Sequence, residues 1–239
     1  MKLNDFYKKH HGKDIYILCS GKSCDFLSPD FFENKITMGV NNVYKKFHSN
    51  YLVFKEFVNN EVFEKTDEIC AIFYSTYKCG DRRDSLNNIT LNNFNLNETN
   101  KNRCVEFEHD QNCGYTTDSN YISSLFNQNA KIMTSCSTIS SAIHLAFYMG
   151  AKNIILVGHD CCSIGGKQNF EGYHTNESLA VAWGNDVNQA KKEYIIWLSK
   201  LSQTTEIMQT ILKNQFNVNL VSLYPFVSLA KAAHMVDNR

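Results

Sequence analysis

The sequence predicts an α/β fold with a mostly parallel sheet flanked by helices, and two observations carry that expectation. Short β-rich runs recur along the chain and are apolar on both faces, as strands covered by helices on two sides must be. The stretch "STISSAIHLAFYMGAKNIILVG" passes from an amphipathic helix through a short turn into an apolar strand, which is the order of half a βαβ unit. With 239 residues the chain can bury one sizeable core, so a single domain over 1–239 is expected.

The strands are expected at 15–19, 36–40, 51–54, 69–73, 154–158 and 218–223. The clearest helix covers 137–150. Its Ile139, Ala142, Ile143, Ala146 and Phe147 fall at the i, i+3, i+4, i+7, i+8 positions of one face, the spacing of a buried stripe. Thr134, Ser135 or Ser137 can cap its start, and Gly150 suits the left-handed position just past its end. A longer helical pattern runs over 187–216, with one stripe through Ala190, Tyr194, Trp197 and Leu201 and a second through Met208, Ile211 and Leu212. The polar quartet "SQTT" at 202–205 is expected to break it in two. A short helix is expected at 228–234. Between 81 and 130 asparagine dominates and periodicity fades. That segment reads as an irregular insertion or lid within the domain. The whole is Rossmann-like: an open sheet with helices on both faces.

Charge and composition exclude several classes. Hydrophobic residues make up 43% of the chain and aromatics 13%, which places it among globular proteins. Lys plus Arg and Asp plus Glu both number 24, for a formal net charge of zero. A nucleic-acid binder shows a basic excess that is missing here, so no nucleic-acid partner is expected. The first residues lack a signal-peptide pattern and no apolar run approaches a membrane span, so a cytoplasmic location is expected. Nine cysteines without C-x-x-C spacing fit reduced thiols better than a disulfide framework or a zinc site, and no metal ligands are assigned.

Three strand ends carry the polar residues. The first strand runs into "CSGKSC", where Gly21 allows close backbone approach, Ser20 and Ser23 offer hydroxyls and Lys22 a charge. Such a turn can seat a phosphate, although an ordinary strand-to-helix turn has the same look. The second ends in Asn41 and Asn42, whose amides read bases and riboses well and equally favour an Asx turn. The third ends in Gly158, His159 and Asp160, and it follows the hydroxyl cluster at Thr134 and Ser135 before the helix N-terminus. Cys161 and Cys162 read as inert thiols, and His144 as a histidine at the edge of the core.

The block "SAIHLAFYMGAKNIILVGHD" resembles the most distinctive part of a superfamily that includes the family 42 sialyltransferases, the motility accessory factors that modify flagellin, and the 6-hydroxymethylpterin diphosphokinase-like proteins. The family's opening G-x-G-P-S-L turn lines up with Cys19-Ser20-Gly21-Lys22-Ser23-Cys24, departing from it at Cys19 and Lys22. Its second strand ends in an asparagine that meets the nucleotide, matching Asn41 or Asn42. Its T-S turn and G-x-D strand end match Thr134-Ser135 and Gly158-His159-Asp160. The resemblance implies a nucleotide-binding domain and an inverting, metal-independent glycosyltransferase using CMP-sialic acid or a related nonulosonate. It implies nucleotide contacts from Ser20, Gly21, Lys22, Ser23, Asn41, Asn42, Thr134, Ser135, Gly158 and His159. His174 and Asp160 are the catalytic candidates, with His174 as general base. No cofactor is required in that reading. The partners it implies are a nucleotide-sugar donor and a saccharide or protein acceptor. Peripheral membrane contact through a lipid-linked acceptor and homo-oligomerisation are further expectations. The diphosphokinase branch implies instead diphosphate transfer from ATP with Mg²⁺ on Asp160 and Asp25. A non-catalytic nucleotide-binding accessory role is the third alternative.

Overall fold

The computed structural model describes residues 1–54, 61–66, 71–75, 97–108, 117–127, 131–133, 137–161, 164–173 and 187–223, the last with side chains from 196 onward. Seven strands form one sheet: β1 (Asp14–Leu18), β2 (Ile36–Val40), β3 (Tyr51–Phe54), β4 (Ala71–Ser75), β5 (Cys104–Phe107), β6 (Asn153–Val157) and β7 (Asn219–Ser222). Their spatial order is β5-β4-β3-β2-β1-β6-β7, and every neighbouring pair is parallel. Successive strands are added outward from β1 to β5, and the chain then crosses to the other side of β1 to place β6. The reversal puts a topological switch point between β1 and β6, where open α/β sheets bind ligands beyond their carboxyl ends.

The helices are α1 (Glu61–Lys65), α2 (Glu98–Arg103), α3 (Ser119–Phe126), α4 (Thr138–Tyr148) and α5 (Val187–Phe216), with short 3₁₀ turns after β1 and β2. The main core lies where Ile139, Ala142, Ile143 and Ala146 of α4 and Leu201, Met208, Ile211 and Leu212 of α5 pack with Ile15, Ile17, Ile154, Leu156 and Leu220 of the sheet. The expected α4 stripe and the second stripe of α5 therefore face the core, as do Trp197 and Leu201 of its first stripe, while the side chains of Ala190 and Tyr194 lie outside the described ones. Gly150 takes the left-handed conformation (φ +83°) after α4, as its place in the sequence predicts. The carbonyls at that helix end accept from the N-terminal segment: Lys8 N–H to Tyr148 at 3.0 Å and His10 N–H to Met149 at 2.8 Å. Ser137 sits in the cap position of α4 but its side chain makes no capping bond.

One expectation changes. The "SQTT" quartet does not break α5, which runs unbroken through 202–205. The hydroxyls of Thr204 and Thr205 each donate to the carbonyl four residues back, at 2.9 Å, so they join the helix ladder instead of competing with it. Within the asparagine-rich region, β5 pairs with β4 as the edge of the sheet. Asn97 caps α2 by accepting from Asn100 N–H, and Asp118 caps α3 through the N–H groups of Asn120 and Tyr121. The expected helix at 228–234 lies outside the described residues. No helix among the described residues is long and apolar enough to cross a membrane.

Candidate functional site

Three strand ends meet at the switch point. The Gly21 N–H donates to Gly158 O at 2.8 Å, which joins the turn after β1 to the turn after β6. Ser23 N–H donates to Asp160 Oδ2 at 2.8 Å, and its hydroxyl donates to Asp160 Oδ1. A Cβ on Gly21 would lie 2.3 Å from Gly158 O and 2.6 Å from the Asp160 carboxylate. A glycine is therefore required at 21 by the neighbouring turn itself. Burial raises the Asp160 carboxyl above its ordinary range, and the two Ser23 hydrogen bonds pull it part of the way back.

The expected site residues divide into two groups. Gly21, Ser23, Gly158, His159 and Asp160 are buried, while Ser20, Lys22, Asn41 and Asn42 are half-buried. The first group forms the frame; the second reaches solvent and is able to touch a ligand. The donors that the sequence assigned to a phosphate at Gly21 and Ser23 are spent inside the protein on Gly158 and Asp160. Asn41 adopts φ +53°, a left-handed conformation that asparagine tolerates better than most residues. Thr134, Ser135 and His174 lie outside the described residues.

Tyr173 lies beneath the half-buried group. It is buried, and it packs edge-on against Phe170 with ring centroids 5.1 Å apart. Burial raises its phenol, while hydrogen bonding to the Ser20 and Asn41 side chains and the Asn42 backbone opposes that rise. The turns after β1 and β2 thus converge on one hydroxyl. The sequence offered a faint signal for it, an aromatic pair at i, i+3 just before His174, which the reading passed over.

Beside the first turn, Asp25 holds both Lys22 and Lys46, and its carboxylate also accepts from Glu171 N–H at 3.2 Å. Burial would raise the Asp25 carboxyl, but the bonds from Lys22 and Lys46 outweigh it and hold it below its ordinary value. The cluster of two lysines and one aspartate carries a net positive charge at the rim, which favours an anionic ligand. The same engagements bear on Mg²⁺. Asp160 is occupied by Ser23 and Asp25 by two lysines, so neither fits as a ligand for the diphosphokinase alternative. Among the described residues, no group of three histidine, cysteine or carboxylate side chains is placed to hold a metal ion.

Two cysteines beside the site are held in the thiol form, and Cys162 lies outside the described residues. Cys19, Cys24 and Cys161 are buried, and burial pushes the thiols of Cys19 and Cys24 well above their ordinary value, so thiolate chemistry is suppressed.

His144 is not at the edge of the core but inside it, 2% exposed. Burial lowers its pKa to about 3, and its Nδ1 accepts from Met133 N–H at 2.8 Å. A neutral ring is thus required there. In His144→Asn the side-chain oxygen lies near the place of Nδ1 and should retain most of the stability. His144→Phe leaves the Met133 N–H unpaired, which costs about 1–3 kcal/mol. Urea unfolding midpoints of the two variants check this; equal midpoints would remove the role assigned to the bond.

Comparison with known proteins sets this geometry beside others. No protein-family model matches the chain, and no curated protein matches it significantly. Two solved structures from Campylobacter jejuni are similar in chain path. The sialyltransferase CstII in complex with a substrate analogue, cytidine-5'-monophosphate, has a TM-score of 0.49 at 13% identity, covering 90% of this chain and 81% of that one. The monofunctional alpha-2,3-sialyltransferase Cst-I has a TM-score of 0.47 at 17% identity, covering 95% of this chain and 82% of that one. Both are enzymes of the class that the sequence blocks resemble. At such identities the likeness is one of fold, and residue roles do not pass from those enzymes to this chain.

Proposed function

We propose that the chain is a glycosyltransferase that binds a nucleotide-activated sugar at the carboxyl ends of β1, β2 and β6. The observation that carries this reading is the convergence of half-buried Ser20, Asn41 and Asn42 on Tyr173, beside a switch point closed by Asp160 and Ser23. The donor class, CMP-sialic acid or a related nonulosonate, is the one implied by the sequence blocks. Ser20 and Lys22 meet the phosphate, and Asn41 and Asn42 read the base or ribose. Gly21, Ser23, Gly158, His159 and Asp160 keep the turns in place around it.

In the transfer step the bond between the anomeric carbon and the phosphate oxygen breaks, and the nucleotide leaves with the electron pair. The acceptor oxygen forms the new bond from the opposite face, which inverts the centre. Its proton passes to His174, a contribution of roughly 10²–10⁴-fold for a well-placed base. Thr134 and Ser135, before the α4 N-terminus, stabilise the charge on the departing nucleotide. The step needs no metal.

A thermal-shift screen of CMP, CDP, UDP, GDP and ATP, with and without Mg²⁺, tests the proposal. CMP at 100 times its Kd is expected to add ~2.7 kcal/mol of stability without Mg²⁺, and CMP-sialic acid is expected to hydrolyse slowly without acceptor. A shift with ATP alone, dependent on Mg²⁺ and accompanied by AMP release, would move the assignment to diphosphate transfer. CMP binding without any turnover, hydrolysis included, would leave an accessory protein.

A further inference from the structure

The polar quartet inside α5 is unexplained by helix formation. It sits in the middle of a long helix, and Ser202, Thr204 and Thr205 are 3%, 0% and 1% exposed, where apolar residues would pack at less cost. Thr205 Oγ1 lies 3.0 Å from His159 Nε2 and donates its one proton to Leu201 O at 2.9 Å. With that proton given to Leu201 O, the hydroxyl accepts from His159 in the Nε2–H tautomer. The Cys161 Sγ lies 3.5 Å from Nε2 and 3.9 Å from Nδ1.

His159 occupies a turn that needs holding. Gly158 before it and Cys161 after it both have positive φ, +67° and +51°, and a left-handed cysteine persists only where its surroundings impose the conformation. Between them Asp160 points its carboxylate at Ser23. A continuous path of hydrogen bonds and adjacent residues therefore runs from Leu201 through Thr205, His159 and Asp160 to the turn after β1.

We infer that His159 is a positioning residue, anchored by the Thr205 hydroxyl of α5, which fixes the Gly158–Cys161 turn and through Asp160 the turn carrying Ser20 and Lys22. Its assignment as a direct nucleotide contact is replaced by this one, because its ring is buried and points its Nε2 at α5. The quartet in α5 is thus a support for the site, not a helix break. The effect on ligand binding rests on the nucleotide reading above; the structural part does not.

Two readouts separate those parts. The first is hydrogen exchange of the Ser23 amide, which donates to Asp160, compared with amides in the middle of α4. Thr205→Val removes the hydroxyl at constant shape and is expected to speed Ser23 exchange about fivefold to tenfold relative to α4, the equivalent of one lost hydrogen bond. Thr205→Ser is expected to leave the ratio unchanged. The second is the Kd for CMP, expected to rise by a similar factor in Thr205→Val and not in Thr205→Ser. Should Thr205→Val fail to fold, His159→Gln serves: its amide nitrogen reaches the place of Nε2 and should keep Ser23 exchange slow, whereas His159→Leu should not. Ser23 and α4 amides speeding up in the same proportion would overturn the inference, since that is global destabilisation alone. If the wild-type chain binds no CMP, the nucleotide reading fails while the exchange ratio still decides the role of His159.

Discussion

Gly158→Ala is expected to bring the protein close to its unfolding threshold. Gly158 has φ +67°, and a left-handed conformation costs an alanine about 1–2 kcal/mol. An added Cβ would lie 2.3 Å from Cys24 Sγ and 2.8 Å from Cys19 O. The backbone oxygen cannot retreat without moving β1, so overpacking adds about 1–3 kcal/mol. The sum, ~2–5 kcal/mol, is a large share of the ~5–15 kcal/mol that holds a typical domain. A fall in Tm on the order of 10 °C follows for a chain of this size. Gly165→Ala is the control, because Gly165 also has positive φ (+58°) but nothing lies within 4 Å of its Cβ position. It should lose only the conformational part. Melting curves of the two variants check the account, and a Gly158→Ala curve superimposed on that of Gly165→Ala would contradict the crowding at the strand ends.

Acid is expected to unfold the protein earlier than carboxylate protonation alone would. Burial lowers His144 to about 3 and His159 to about 4, from an ordinary value of 6.5. Between those values the unfolded chain binds two protons that the folded chain does not, so stability rises with pH and is lost as pH falls below about 6.5. Each histidine contributes a slope of about 1.4 kcal/mol per pH unit, near 2.7 for both. From pH 6.5 down to 4 the loss is on the order of 6 kcal/mol. Asp160 opposes part of it: burial raises its carboxyl, so the folded chain takes up that proton earlier than the unfolded one. Urea midpoints measured from pH 7.5 to 4 should fall steeply in the wild type, and His144→Phe should remove about half of the slope. A flat profile over that range would mean that the two rings are not neutral in the folded state.

How far these features could be read in advance depended on whether they were local. Strands 36–40 and 51–54 were placed to the residue because their apolar runs are bounded by polar turns, and the α4–β6 unit followed from helical spacing and Gly150. The edge strand β5 is not legible because Glu106 interrupts its four residues, so no continuous apolar run marks it as YLVF marks β3. The continuity of α5 was missed because a Ser/Thr run reads as a breaker unless its hydroxyls are known to find carbonyls of the same helix. At the site, residue types were legible and their partners were not. Nothing in the chain says that Ser23 and Asp160, 137 positions apart, bond to each other. That pairing engages the Ser23 hydroxyl and amide with the Asp160 carboxylate, and among the described candidates Ser20, Lys22, Asn41 and Asn42 are the half-buried ones. Lys22 is similar in kind: its charge is legible in the sequence, and its pairing with Asp25 is not.

If the ends of β1, β2 and β6 form one nucleotide site, amide chemical-shift mapping with CMP should reveal it: saturable shifts are expected at Ser20, Lys22, Asn41, Asn42 and Tyr173, with much smaller ones along β3, β4 and β5 on the far side of the sheet. Saturable shifts confined to another face, or none at millimolar CMP, would contradict it.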